Sequence, residues 1–292
     1  MGILDSAVNV AELVEVARAT LPSAAAEAWI GLLRPAVGLR RAVTGELAVG
    51  QLGGAPALPV GMEWPRTRAG RPLGFIASID LARVPIRDLD VPLPTDGTLL
   101  LFYRDPSEDP YEVFGISDPE PEDQPPTGYV VFVPAGTQTT PWTEAGATLY
   151  PEVGLTGDLI ATGPRRGHPA LEQALAELSD ADREFVTGTT RRVEFWDELS
   201  RRSRLPGHLL GGYAHAWQEP VEFEAAWMRL DAASPDSVTA VLGEAQHWTS
   251  LVQLDSGNDA DMMWFGSLYW MMRRDDIAAA RFDAATSIFQ VS

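Results

Sequence analysis

The sequence predicts a β-rich α+β fold: antiparallel sheets in a roll-like arrangement, built from an internal duplication, with helical segments near 9–33 and 169–203. Three observations predict it. The last forty-five residues, Trp248 to Ser292, hold three apolar runs separated by two polar breaks, the pattern of three antiparallel strands. A shorter echo lies near residue 75, where FIASIDL, a Pro-rich connection and DGTLLLFY repeat the order β-run, Asp, Gly, β-run. A Gly-Gly pair precedes each copy, at Gly53-Gly54 and Gly211-Gly212. On this reading Asp80 matches Asp255 and Gly97 matches Gly266. The chain 1–292 forms one domain, with a first repeat unit at 51–104 and a second at 208–292.

The remaining elements follow in order. Asn9 with Glu12 three residues on predicts a capping box, and Val10, Leu13, Val14 and Ala17 make an apolar stripe. Pro22 ends that helix and Ser23 caps a second, so 9–33 is a helical hairpin covering a sheet. Residues 38–48 read as a strand, and the Gly- and Pro-dense stretch after it as a shaped loop. Residues 73–80 and 98–104 are the first repeat strands, and 105–127 is an acidic, Pro-rich loop. Residues 128–134 read as another strand. The helical insert at 169–203 opens on Pro169, which suits a first helical position. Ser179 with Asp182 marks a further cap. Val193, Trp196 and Leu199 face inward from a last helix. HLLGGYAHAWQ then opens the second repeat unit.

Charge narrows the function classes. The chain has 22 basic residues, all Arg, against 41 acids, a net charge of -19. Such a surface repels phosphate backbones and anionic lipid, which excludes nucleic-acid and membrane partners, and it favours a basic protein partner. No Cys is present, so disulfides, thiolate nucleophiles and Cys-ligated metals are excluded. With no membrane-length apolar run and an acidic start, the chain reads as cytoplasmic. Oligomeric state is left open. Between Asp105 and Pro164 there are eleven acids and no basic residue, and Glu108, Asp109, Glu120, Glu122 and Asp123 lead the candidate acidic face.

Catalytic signals are sparse. No phosphate-cradling loop, dinucleotide fingerprint or nucleophile elbow occurs, and no cofactor is implied. His208 and His215 lie seven apart around a Gly-Gly turn, which is not the spacing of a helical zinc pair, so no metal site is expected. Asp80 and Asp255 each end a repeat strand. They read as turn caps; as an alternative, a pseudo-twofold axis brings them together as the paired carboxylates of a small-molecule or glycan-acting enzyme. Trp64, His208 and Trp264 are pocket candidates, because aromatics in a cleft stack on sugars or bases. The preferred reading is a non-enzymatic binding or interaction protein, one version of which is an immunity-type protein whose acidic surface neutralises a basic toxin.

Four blocks carry a resemblance: QLGGAPALP with Trp64-Pro65, the FIASIDL to DGTLLLFY pair, HLLGGYAHAWQ, and the C-terminal stretch. In their order and spacing, from residue 51 to 292, they resemble the YwqG-like proteins, a bacterial family of unknown function. The resemblance implies a duplicated β-rich roll and no activity, cofactor or catalytic residue. This chain departs from that pattern twice. Phe265 leads straight to Gly266 where the family has Gly-Asp-x-Gly, and Tyr213-Ala214-His215 replaces a Tyr-Pro turn.

Overall fold

A computed structural model describes residues 7–67, 70–104, 128–187, 192–202, 207–230, 238–256, 260, 262 and 266–291. The strands are β1 (Arg34–Arg41), β2 (Gly50–Leu52), β3 (Ala57–Pro59), β4 (Gly74–Asp80), β5 (Thr98–Tyr103), β6 (Gly128–Val133), β7 (Thr139–Pro141), β8 (Val153–Thr162), β9 (His208–Leu210), β10 (Trp248–Asp255), β11 (Gly266–Arg273) and β12 (Thr286–Val291). The helices are α1 (Val10–Thr20), α2 (Ser23–Ile30), α3 (Pro169–Ala176), α4 (Asp180–Thr187), α5 (Arg192–Arg202), α6 (Val221–Leu230), α7 (Val238–Ala245) and α8 (Arg274–Ala278). The α+β, β-rich expectation holds. Ten strands make one antiparallel sheet in the order β12-β11-β10-β9-β1-β8-β2-β4-β5-β6, and β3 pairs with β7 beside it.

That sheet nearly closes into a barrel. Its two edge strands meet where Gly128 of β6 faces Ser287 of β12, so closely that a Cβ on Gly128 would lie 2.7 Å from the serine Cβ. Tyr103 packs edge-on to Trp270 across the same interior. Side chains alternate across the wall. Leu268, Trp270 and Met272 of β11 point inward, while Tyr269 and Met271 join an outer cluster under α6 and α7. Ten strands enclose more space than wall side chains fill, so connections fold in. Leu81, Ile86, Leu89 and Val91, from the segment between β4 and β5, complete the interior with Ile277 and Phe282. The outer face of β4–β6 is covered by Leu58, Trp64 and Leu73. Helices α1–α5 cover the outside of β8 near Ala161.

The sheet order reads the same from either edge, and the registers agree in detail. Each half carries a β-bulge four residues before its terminal Asp, at Ile76 in β4 and Leu251 in β10. A bulge puts two consecutive residues on one face, and Ile76-Ala77 and Leu251-Val252 all enter the interior. Gly53 N–H donates to the Ile76 carbonyl at 2.8 Å, and Gly211 N–H donates to the Leu251 carbonyl at 3.0 Å. Asp80 lies opposite Thr98 and Asp255 opposite Ser267, so the two Asp–Gly corners share a register. β2 pairs Leu52 with Val153 on β8, as β9 pairs Leu210 with Val37 on β1. That equates Pro35-Ala36-Val37-Gly38-Leu39 with Pro151-Glu152-Val153-Gly154-Leu155, a second sequence echo.

Local expectations fared unevenly. Asn9 does not cap α1; its amide reaches the β8 backbone, accepting from Ala161 N–H at 2.7 Å and donating to Ala161 O at 2.9 Å. A side chain that mimics a strand edge satisfies two buried groups at once, which outweighs one cap bond. Ser23 lies inside α2, whose N-cap is Pro22. The Ser179–Asp182 cap and Pro169 at the start of α3 are present. The first strand begins at Arg34, not at residue 38. The acidic segment 105–127 lies outside the described residues.

Candidate functional site

The Gly211-Gly212 turn brings together a set of chemically capable side chains. Both glycines have φ of +71°, which lets the chain leave β9 and double back over the outer face of β10–β12. The next residues run alongside the segment that leaves β8, Thr162 to His168. Thr162 ties the two: its hydroxyl donates to Arg34 O at 3.1 Å and accepts from Tyr213 N–H at 2.9 Å.

Tyr213 is buried under this turn. Its ring takes the Arg34 guanidinium on one face at 4.5 Å and the His168 edge at 4.8 Å. Burial pushes its phenol up to about 12, so it stays protonated at neutral pH. His168 Nδ1 accepts from Ala170 N–H at 3.1 Å, which caps α3 and leaves the ring proton on Nε2. That nitrogen faces Glu222 Oε2 at 3.5 Å, with both side chains nearly buried.

The loop beyond Tyr213 is mounted on a polar network. Gln253 Oε1 accepts from His215 N–H at 2.7 Å, and the Tyr269 hydroxyl donates to His215 O at 2.8 Å. Gln290 Oε1 accepts from Trp217 and Gln218 N–H, while its amide donates to Glu219 O and Glu224 Oε1. The Trp217 indole donates to Ser267 Oγ at 2.8 Å, and Ser267 donates to Asp255 Oδ1 at 3.0 Å. These bonds hold Trp217 with 49% of its surface exposed, its ring stacked on His215. Desolvation, then the charge of Arg165, draws the His215 imidazole down to about 4. The loop is therefore rigid and presents an aromatic step at the surface.

The predicted site residues fall elsewhere or serve other ends. Asp80 and Asp255 do not pair. Successive antiparallel ladders make β4 run opposite to β10, so the two strand-end carboxylates sit at opposite rims of the barrel. A strand of seven or eight residues separates those rims by roughly 20–25 Å, far beyond the ~5–9.5 Å of a glycosidase pair. Asp80 accepts from Ala82 N–H at 3.1 Å and meets Arg83 Nε at 2.9 Å. Asp255 is held by Ser267. Trp64 is core: it is 3% exposed, donates to Leu73 O at 2.8 Å and packs edge-on to Phe102. His208 is buried in β9 and its Nδ1 accepts from Asp255 N–H at 3.1 Å. Trp264, Glu108, Asp109, Glu120, Glu122 and Asp123 lie outside the described residues. Two other acids of the same window are neutralised in space: Glu144 pairs with Arg66, and Asp158 lies 3.6 Å from Arg40.

Among the described residues, no group of three or more His, Asp and Glu side chains is placed to hold a metal ion. No helix there is long and apolar enough to cross a membrane. Sequence reading missed Arg165, Tyr213 and Gln290. The usable signal was the Pro-x-Val-Gly-Leu echo, which fixes β1 and β8 as the central strands and so brings residues 162–168 beside 211–217.

A family model described as a domain of unknown function (DUF1963) matches residues 50–290. No curated protein matches the chain. The match begins after β1, although β1 is hydrogen-bonded between β8 and β9 in the middle of the sheet.

Proposed function

The chain belongs to the DUF1963 family, a domain of unknown function, so its role has to be read from its own residues, and we propose that it is a non-enzymatic cytoplasmic binding protein with an acidic face for a basic protein partner. One observation carries this reading: a net charge of -19 in a chain without Lys, with eight acids and no basic residue between Asp105 and Asp123. Charge of one sign at that density steers an oppositely charged protein into encounter. The enzyme alternative loses support from the opposite-rim placement of Asp80 and Asp255. An immunity-type role, with a basic toxin as partner, is the version this charge fits best. The matching bulges, glycine turns and Pro-x-Val-Gly-Leu strands support an origin by duplication, and the order and spacing of the four sequence blocks support the resemblance to the YwqG-like proteins.

The test changes Glu108, Asp109, Glu120, Glu122 and Asp123 to their amides. Association with the partner captured and identified from the native host is then followed at ~20 and ~200 mM salt, which spans weak to strong screening. The on-rate should fall about tenfold at low salt and its salt dependence should flatten. An unchanged on-rate and salt slope would refute the acidic-face reading.

A further inference from the structure

Exposed apolar side chains are concentrated on two helices. Twelve large ones are exposed among the described residues, and five of these sit on α6 and α7. The two helices pack on each other and on the outer face of β10–β12. Val221, Ala225 and Ala226 of α6 and Val241 and Ala245 of α7 turn inward, to Tyr269, Met271 and Ile288. The other side of an amphipathic surface helix is ordinarily polar. Here it carries Trp227, Met228 and Leu230 on α6 and Val238 and Leu242 on α7, each 39–56% exposed. Phe223 braces Trp227 from one turn earlier, with ring centroids 6.0 Å apart. Apolar side chains grouped in this way mark an interaction surface.

Charge and shape decide what this face fits. At the start of α6, Glu219 is exposed and Glu224 half-buried, and neither forms an ion pair among the described residues. Gln290 fixes this end: its amide donates to Glu224 Oε1 at 2.6 Å and its Oε1 accepts from Trp217 N–H at 2.8 Å. Burial raises the Glu224 carboxyl above its ordinary value; the Gln290 bond opposes this and the charge of Glu219 adds to it. The one cation of α6, Arg229, is taken up by Glu244, and α7 has none. A second copy of the chain would bring a further charge of -19 to the face, so like charges oppose self-association and a cationic partner is attracted. The exposed rows run along helices of ten and eight residues, roughly 15 and 12 Å long. A helix of about three turns laid along the pair meets both rows with apolar anchors at i, i+3, i+4 and i+7.

We propose that the α6–α7 face docks an amphipathic helix of a basic protein, with its apolar side on Trp227, Leu230, Val238 and Leu242 and its Lys or Arg residues toward Glu219 and Glu224. This rests on the basic-partner reading and adds to it an apolar anchor separate from the acidic window.

The probe is a synthetic amphipathic Leu/Lys helix of ~18 residues, long enough to hold its own helix. A Leu/Glu helix of the same length is the control, and both are titrated by fluorescence anisotropy at ~150 mM salt, where distant charges are screened. The wild-type chain should bind the Leu/Lys helix and not the Leu/Glu helix. Trp227→Ser and Leu242→Ser should each weaken binding about tenfold or more, as truncation of a central apolar anchor does. Glu219→Gln, at the rim, should weaken it about two- to fivefold. Leu47→Ser, at a residue 66% exposed on another surface, should bind as wild type does. Circular dichroism confirms that the variants fold. The proposal is overturned if the wild-type chain does not bind the Leu/Lys helix, if it binds the Leu/Glu helix equally, or if Trp227→Ser and Leu242→Ser bind as tightly as wild type or as Leu47→Ser. A dimer in sedimentation that Trp227→Ser dissolves would assign the face to a second copy and also overturn it. The five-amide variant at residues 108–123 is titrated alongside. Loss in that variant but not in Trp227→Ser leaves the acidic window and refutes the docking face; loss in Trp227→Ser alone keeps the docking face and counts against the window.

Discussion

Gly212→Ala tests the turn on which the candidate site is built. Gly212 has φ of +71°, and a Cβ there would lie 2.5 Å from Thr162 Oγ1 and 2.7 Å from Ala36 Cβ. The left-handed backbone alone costs an L-residue about 1 kcal/mol or somewhat more. The contact adds to this, because Thr162 cannot turn aside freely: its hydroxyl bridges Arg34 O and Tyr213 N–H. Losing those two bonds costs about 1 kcal/mol each. Alanine returns about 0.4–1 kcal/mol by restricting the unfolded chain. The sum is a destabilisation of about 3 kcal/mol.

Gly136→Ala is the control, with φ of +79° and nothing within 4 Å of the added Cβ. It carries the backbone term without the clash, so about 1 kcal/mol or less is expected. Urea unfolding of both variants, followed by tryptophan fluorescence and far-UV circular dichroism, measures the difference. Equal midpoints for the two variants would refute the reasoning, since it assigns most of the Gly212 effect to Thr162 and Ala36.

Two further outcomes follow from the same network. His215 has its folded pKa drawn down to about 4 from 6.5, so the unfolded chain binds the proton more tightly; stability is full above pH 6.5 and falls as pH drops toward 4, by at most about 3 kcal/mol. His215→Gln, which keeps the backbone bonds to Gln253 and Tyr269, should flatten that part of the stability–pH profile, and a profile as steep as wild type would exclude His215 as its source. Gln290→Leu strands two backbone N–H groups, the Glu219 carbonyl and the Glu224 carboxylate, so it should cost about 3 kcal/mol or more in urea unfolding and raise protease cutting near Trp217; a loss under 1 kcal/mol would mean that the loop is held by something else.

Legibility in the sequence followed periodicity and punctuation. The terminal strands β10, β11 and β12 and the pair β4 and β5 announced themselves because long apolar runs ended at Asp and Gly. β8 did not, since VGLTGDLIAT has three polar residues and two glycines on a strand whose partners lie 120 residues away in β1. No local rule reveals that a glycine there is tolerated because Gly157 packs under Val37 and Leu39. The candidate site was legible only as a Gly-Gly block. His215 acquires its shift from burial on the loop held by Gln253 and Tyr269, which come from strands distant in sequence. Trp64 and His208 misled for the opposite reason: an aromatic in a Gly- and Pro-rich block looks like a cleft residue until the loop proves to be the lid of a core.

The pseudo-twofold arrangement explains where a function could reside. Both halves supply the same backbone: a Pro-x-Val-Gly-Leu strand, a Gly-Gly turn, a bulge and an Asp–Gly corner. Gly54 meets Glu152 as Gly212 meets Ala36, so the close approach of backbone to strand is common to both. The side chains that could do chemistry are not common. Tyr213 stands where the half around Gly53-Gly54 has Ala55, and Arg34 where that same half has Tyr150. Arg165 and His168 come from the connection after β8, which runs through α3, α4 and α5, while the connection after β1 is a short loop of 42–49. The two turns differ because the connection after β8 inserts helices α3, α4 and α5, whereas the connection after β1 inserts no described helix. The equivalent turn at Gly53-Gly54 serves as the internal reference for the one at Gly211-Gly212.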